Sequence, residues 1–256
     1  MTARSPLRVV ASQVLPPTSV EVGLRQVADV VDRVGASGTD LVVLPELALT
    51  GYDLDRLAEP TSWIGADDSR LDRLRDRCRT LDFMLVLGVA HLADDGRRLL
   101  AAMCIDPAGD IAISPKQHLH GRERELFDPG EPISPVDLRG WRLGLAVCFD
   151  AAVPSHAQHA ADAGAEVYVV SAFYAATEFE RMGIHLAARA MDHRMYSVVA
   201  NFAAAGGTIG SCGGSGVWGP DGRCLVRAGA DVAVVATQVD PVEIARLRAS
   251  DRSATR

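Results

Sequence analysis

With 256 residues the chain can form one large domain or two small ones around a sizeable core, and its 48% apolar composition excludes a disordered protein. A formal charge of −7, with no cluster of Lys and Arg, argues against a nucleic-acid surface. No apolar run approaches the roughly 18 residues of a membrane helix, and Met1 to Arg8 leads into a strand-like segment without a long apolar leader. The five cysteines (Cys78, Cys104, Cys148, Cys212, Cys224) are odd in number, form no Cys-x-x-Cys pair and lack zinc-ligand spacing to histidine. Reduced thiols, no metal and a cytoplasmic location are the expectation.

Leu7 to Val14 reads as a first strand. A helix follows, with Val20, Leu24, Val27, Val31 and Val34 at the 3.6-residue period. Asp40 to Leu44 shows no alternation and reads as a strand buried on both faces, ending at Pro45-Glu46. Leu71, Leu74, Cys78 and Leu81 mark a second helix, and the sign-alternating block from Asp67 to Arg79 reads as its solvated face. Phe83 to Leu92, Leu99 to Ile105 and Ile111 to Ser114 form a meander around the turns Asp94-Asp95-Gly96 and Asp106-Pro-Ala-Gly109. The meander delivers Pro115-Lys116.

From Gln117 to Pro135 the pattern breaks into a charged segment, and connections this long inside a compact domain are usually functional or disordered. The first half then repeats in kind. Trp141 to Phe149 is a strand, Val153 to Ala163 a helix, Val167 to Phe173 a buried strand, and Phe179, Met182, Leu186 and Ala190 a helical stripe. Tyr196 to Phe202 is a strand, Ser215 to Trp218 and Cys224 to Arg227 flank the turn Gly219-Pro-Asp-Gly222, and Val232 to Val239 closes the set. Two β-α-β-α-β halves, each followed by a hairpin, point to two sheets packed face to face with helices outside. A doubly wound single sheet fits the hairpin signals less well. No polar linker divides the halves, so residues 1–256 are expected to form one domain.

Chemistry in open α/β folds tends to sit at the carboxyl ends of strands. Cys148 ends the run from Leu143 to Val147, Glu46 and Lys116 also follow strands, and Glu125 lies in the irregular segment. A thiol must lose its proton before it attacks a carbonyl or nitrile carbon, and a neighbouring carboxylate can take that proton and return it to the leaving nitrogen. The charge on the attacked oxygen needs a cation and backbone N–H groups. Glu46, Lys116 and the N–H of Phe149 are candidates for those roles. Taken singly, each has a plain structural alternative: free cysteine usually packs as a small hydrophobe, and lone charged residues are usually solvated.

The succession Pro45-Glu46, Pro115-Lys116, Glu125-Leu-Phe-Asp-Pro-Gly130 and Gly144-Leu-Ala-Val-Cys-Phe-Asp150 resembles the nitrilase superfamily of carbon–nitrogen hydrolases. The resemblance continues through Gly164-Ala-Glu166, Ala188-Arg-Ala190, Tyr196 to Asn201 and Gly213-Gly-Ser215, and covers nearly the whole chain. It implies a four-layer α-β-β-α sandwich of two mixed sheets flanked by helices, and a homodimer or larger homo-oligomer. It also implies Glu46 as base, Lys116 as oxyanion stabiliser, Cys148 as nucleophile, and Glu125 as a second, supporting carboxylate beside Lys116. The stretch Pro45 to Tyr52 is similar to amidase-type members.

The expected activity is hydrolysis of a small carboxamide without cofactor, with nitrile or N-carbamoyl hydrolysis as alternatives inside the superfamily and a catalytically silent scaffold as one outside it. The sequence departs from the family after Asp150: Ala151-Ala152-Val153-Pro154 stands where many members carry an arginine or aromatic residue, which counts against carbamoyl amino acids. Asp192 stands where a glutamate is frequent. Tyr52, Phe149 and Phe173, at strand ends, are candidate pocket walls. His118 and His120 are candidates to face a substrate, although loop histidines are more often solvated. Gly213 to Gly216 lacks the lysine of a phosphate loop.

Overall fold

A computed structural model describes residues 4–204 and 210–254. Met1 to Ala3, the start of the segment read as lacking a leader, lie outside the described residues.

The first half contains β1 (Leu7–Gln13), α1 (Val20–Val34), β2 (Leu41–Val43), α2 (Asp72–Leu81), β3 (Met84–Leu92), β4 (Arg98–Ile105) and β5 (Ile111–Pro115). A four-residue helix α3 (Glu123–Leu126) and a short strand β6 (Val136–Leu138) connect it to the second half. There follow β7 (Trp141–Val147), α4 (Pro154–Asp162), β8 (Val167–Ser171), α5 (Phe179–His193), β9 (Tyr196–Ala200), β10 (Gly216–Trp218), β11 (Cys224–Arg227), β12 (Ala233–Val239) and α6 (Pro241–Ala254).

The strands form two six-stranded sheets, ordered β12-β1-β2-β3-β4-β5 and β11-β10-β9-β8-β7-β6. In each, three central strands run parallel and the flanking strands are antiparallel. Alternation along the strands assigns the layers, because successive side chains point to opposite faces. Val9 and Ala11 of β1 join Val43, Val86, Leu143, Leu145, Val169 and Val198 in the core between the sheets. Val10, Val42 and Leu85 face outward onto Val27 and Val31 of α1 and Leu74 and Cys78 of α2. On the other side, Tyr168, Val170 and Val199 meet Ala157 of α4 and Met182, Leu186 and Ala190 of α5. The result is the four-layer α-β-β-α sandwich.

Three features differ from the sequence reading. The last strand, β12, crosses to the first sheet and pairs antiparallel with β1, Leu7 opposite Val239. Gln13 secures that crossing: its Nε2 donates to the carbonyls of Gly229 at 2.9 Å and Asp231 at 2.5 Å. Strand β6 was hidden by its three-residue length. Helix α6 was hidden by its weak stripe, in which Ile244 is the one buried residue among the described positions.

Candidate active site

Each candidate side chain is delivered by backbone leaving a strand. After β2 the loop Leu44 to Gly51 docks on Gly88 of β3, which donates to the Pro45 carbonyl at 3.0 Å and accepts from the Ala48 N–H at 2.8 Å. A Cβ on Gly88 would lie 2.4 Å from Glu46 Cα, so this approach requires glycine. The Glu46 N–H reaches the other sheet, donating to the Ala172 carbonyl at 3.2 Å. After β5, the Lys116 carbonyl accepts from the Gly130 N–H at 2.9 Å, and a Cβ on Gly130 would press to 2.8 Å from the backbone of Pro115. Cys148 leaves β7 in the left-handed region (φ 45°) and opens a single 3₁₀ turn through Ala152. A non-glycine residue held there stores about 1–3 kcal/mol of strain, a conformation concentrated at functional sites.

These three strand ends meet around Lys116. Its ammonium, 1% exposed, donates to Glu46 Oε1 at 2.8 Å and to Glu123 Oε1 at 2.8 Å. Tyr52 donates its hydroxyl to the same Glu123 oxygen at 2.6 Å, and the His120 N–H donates to Glu123 Oε2 at 2.7 Å. Glu46 is fully buried, and its Oε2 has no hydrogen-bond partner among the described residues. Cys148 Sγ lies 3.2 Å from the Phe173 carbonyl.

Burial is the largest effect on Glu46 and, with the charge of Glu123, outweighs Lys116 to push its pKa up to about 7. Burial works against the Lys116 ammonium, but Glu46, Cys148 and Glu123 outweigh it and hold lysine charged beyond its ordinary range. Burial and the Glu46 charge push the Cys148 thiol well above its usual value, opposed by Lys116. The resting site therefore holds a neutral thiol, a fixed cation and a carboxylate poised near neutrality.

Glu125 is not where the sequence reading put it. It is exposed on α3, and Glu123 occupies the place beside Lys116. The cause is helical geometry: Glu123 and Phe127, four apart, share the buried face, and a residue two positions on points away. Phe127 was the available signal, since the carboxylate four residues before it shares its face.

A cavity of about 210 Å³ opens onto Lys116, Glu123 and Cys148, with Tyr52, Phe149 and Phe173 in its walls. Tyr52 stacks on Phe173 with ring centres 4.5 Å apart, and Phe149 packs on His120 at 4.8 Å. His120 thus lines the cavity, whereas His118 lies behind it against Asp150. The outer wall comes from Glu178, Arg181 and His185 at the start of α5, within residues 173–186, a segment expected from the sequence to set specificity without any of the three being a named candidate. Glu178 accepts from the Ala175 N–H at 2.9 Å and pairs with Arg181 at 3.0 Å, and His185 Nδ1 lies 3.0 Å from the Tyr174 hydroxyl. Behind the cavity, Asn201 accepts from the Tyr174 N–H at 3.1 Å, and Arg189 donates to the Ala151 carbonyl at 3.0 Å. Among the described residues no cluster of His, Cys, Asp and Glu could hold a metal ion. Nor is any helix among them long and apolar enough to cross a membrane.

The carbon–nitrogen hydrolase family model matches residues 8–249. The chain is 32% identical over 222 residues to an (R)-stereoselective amidase of Pseudomonas sp, covering 82% of this chain and 77% of that one. It is 26% identical to an amidase from Nesterenkonia sp., on which it superposes with a TM-score of 0.83, covering 100% of this chain and 98% of that one. A variant of that amidase is described with acrylamide added at its active-site cysteine. Saccharomyces cerevisiae Nit3, a member of the nitrilase superfamily, superposes with a TM-score of 0.89 at 21% identity, covering 97% and 95%, a likeness of fold.

Proposed function

The chain belongs to the carbon–nitrogen hydrolase family of the nitrilase superfamily, and from that premise we propose that it hydrolyses a small carboxamide to a carboxylic acid and ammonia through a Cys148 thioester. The observation that carries this reading is Glu46, buried, with one oxygen on Lys116 and the other without a hydrogen-bond partner among the described residues. A general base is most effective when its pKa lies near the working pH, and Glu46 stands at about 7.

The steps follow from those positions. Glu46 takes the Sγ proton as sulfur bonds to the amide carbon, and the carbonyl electron pair moves to oxygen. Two of the three Lys116 N–H bonds are held by carboxylates, leaving the third for that oxyanion, with the Phe149 N–H beside it. The C–N bond then breaks as Glu46 passes its proton to nitrogen, and ammonia leaves. Water gives a proton to Glu46 and its oxygen to the thioester carbon, the C–S bond breaks, and the thiolate recovers the proton. Glu123 holds Lys116 and Tyr52 in place, the role that the family resemblance implies for Glu125. Tyr52, Phe149 and Phe173 grip the acyl group. No cofactor enters the scheme.

An amide is favoured over a nitrile or carbamoyl compound by the amidases among the relatives. Ammonia release from panels of amides, nitriles and carbamoyl amines tests the choice, with carbon dioxide marking the last class. Cys148→Ala should abolish release by a folded protein, and retained release would sink the scheme. Selective labelling of Cys148 by a thiol probe, ahead of the other cysteines, separates an enzyme from a silent scaffold. We also propose a two-fold homodimer, and a cytoplasmic setting in which the free thiols stay reduced.

A further inference from the structure

Lys116 and Cys148 stand at the ends of strands in different sheets, β5 and β7. Outside the cavity one carboxylate ties those ends together. Asp150, 1% exposed, accepts at Oδ1 from the Gln117 N–H at 3.2 Å, the His118 N–H at 2.9 Å and His118 Nδ1 at 2.9 Å. Its Oδ2 accepts from the Val147 N–H at 3.1 Å. The residues just after Lys116 and just before Cys148 thus hang on one side chain. Resting on the proposed function, we propose that Asp150 and His118 are positioning residues, a latch across the two sheets that holds the Lys116 ammonium in register with the Cys148 sulfur.

The register matters because Lys116 is the charge that draws the Cys148 pKa down, against burial and Glu46. A small retreat of the ammonium leaves the thiol harder to ionise, and displacements of about 1 Å in such sites cost up to about 100-fold in rate. The latch also has a titrating half. Burial pushes Asp150 up, but the His118 hydrogen bond, the charges of His156 and Lys116 and the Val147 N–H outweigh it, so Asp150 is a carboxylate at neutral pH. A carboxylate only accepts, so His118 Nδ1 carries the proton. The hydrogen bond to Asp150 raises the His118 pKa above 6.5. His156 also faces this pair, edge-on to His118 at 6.0 Å with its Nε2 3.7 Å from Asp150 Oδ2; burial is the largest effect on it and, with the charges of His118 and His159, lowers its pKa below 6.5 against the pull of Asp150. The extra hold from His118 is full below its unfolded pKa and is lost as pH rises through the higher folded value. The neutral Nδ1–H still donates, so the latch slackens without opening.

Iodoacetamide alkylation of the whole chain, read by peptide mass spectrometry at Cys148 against pH, tests this without a known substrate. Exposed Cys224 is the internal reference. His118→Ala should slow Cys148 alkylation about tenfold with Cys224 unchanged. His118→Asn, whose amide nitrogen can stand where Nδ1 stood, should recover most of the rate and remove the pH-dependence that His118 contributes. Wild-type alkylation in His118→Ala, or equal slowing in both variants, overturns the latch. Wild-type alkylation in His118→Ala beside lost ammonia release in Cys148→Ala removes the latch alone, whereas retained release in Cys148→Ala removes the reading on which it rests.

Discussion

The carboxylates around Lys116 differ in what they are free to do. Glu123 is occupied on both oxygens, by Lys116 and Tyr52 on one and by the His120 N–H on the other. Glu46 keeps one buried oxygen without a hydrogen-bond partner among the described residues. If Glu46 is the base, kcat/KM should rise with pH on a limb with an apparent pKa of about 7, because its raised pKa keeps it protonated and idle below that value. The apparent value belongs to the coupled group as a whole. Glu46→Gln should remove that limb with the rate, and a folded variant releasing ammonia at near wild-type speed would end the assignment. Glu123→Gln and Glu125→Gln form a paired test. The first removes a charge touching Lys116 and should cost at least about 100-fold in kcat, the scale of losing one oxyanion donor. The second alters an exposed side chain and should leave kcat within about twofold, as surface changes away from special features usually do. Steady-state kinetics on both variants decides between the two glutamates.

At the scale of elements, the strands and helices that bury apolar faces were legible because their periods were: Val27 and Val31 predicted α1, and the unbroken run Leu41 to Leu44 predicted β2. What stayed illegible depends on long-range partners. Helix α6 buries Ile244 in an otherwise weak stripe, β6 is too short to show a period, and no local pattern says that β12 pairs with β1. The strand-end positions of Glu46, Lys116 and Cys148 were readable, as were the wall residues Tyr52, Phe149 and Phe173. The orientation of a side chain on a four-residue helix is not, so the sequence points to Glu125 where the fold sets Glu123 beside Lys116. Helix α5 illustrates a contribution visible only in the fold. Its buried Arg189 donates to the carbonyls of Ala151 and Ala152 at 3.0 and 3.4 Å, closing the turn that Cys148 opens, with exposed Asp192 3.8 Å away. Arg189→Met keeps much of the stem but strips those donors, and should lower stability by about 2 kcal/mol, the scale of hydrogen bonds from a charged group. Urea unfolding measures it, and an unchanged midpoint would show that the turn holds without the arginine.

For the molecule as a whole, the proposed dimer is checked by sedimentation, where a single 27.2 kDa species at micromolar concentration would remove it. The sandwich also determines where damage to the site can originate. Gly88 lies on β3, outside the cavity wall, yet its missing side chain is the space into which the backbone of Glu46 settles. A mutational scan ordered by distance from bound ligand would rank it among tolerant positions. Gly88→Ala, one of the mildest changes by size, should instead displace Glu46 and abolish ammonia release while Cys148 stays in place and open to labelling. Among relatives of this chain, the outer-wall positions Glu178, Arg181 and His185 should therefore vary more than position 88. A hidden strand interior remains closed to change.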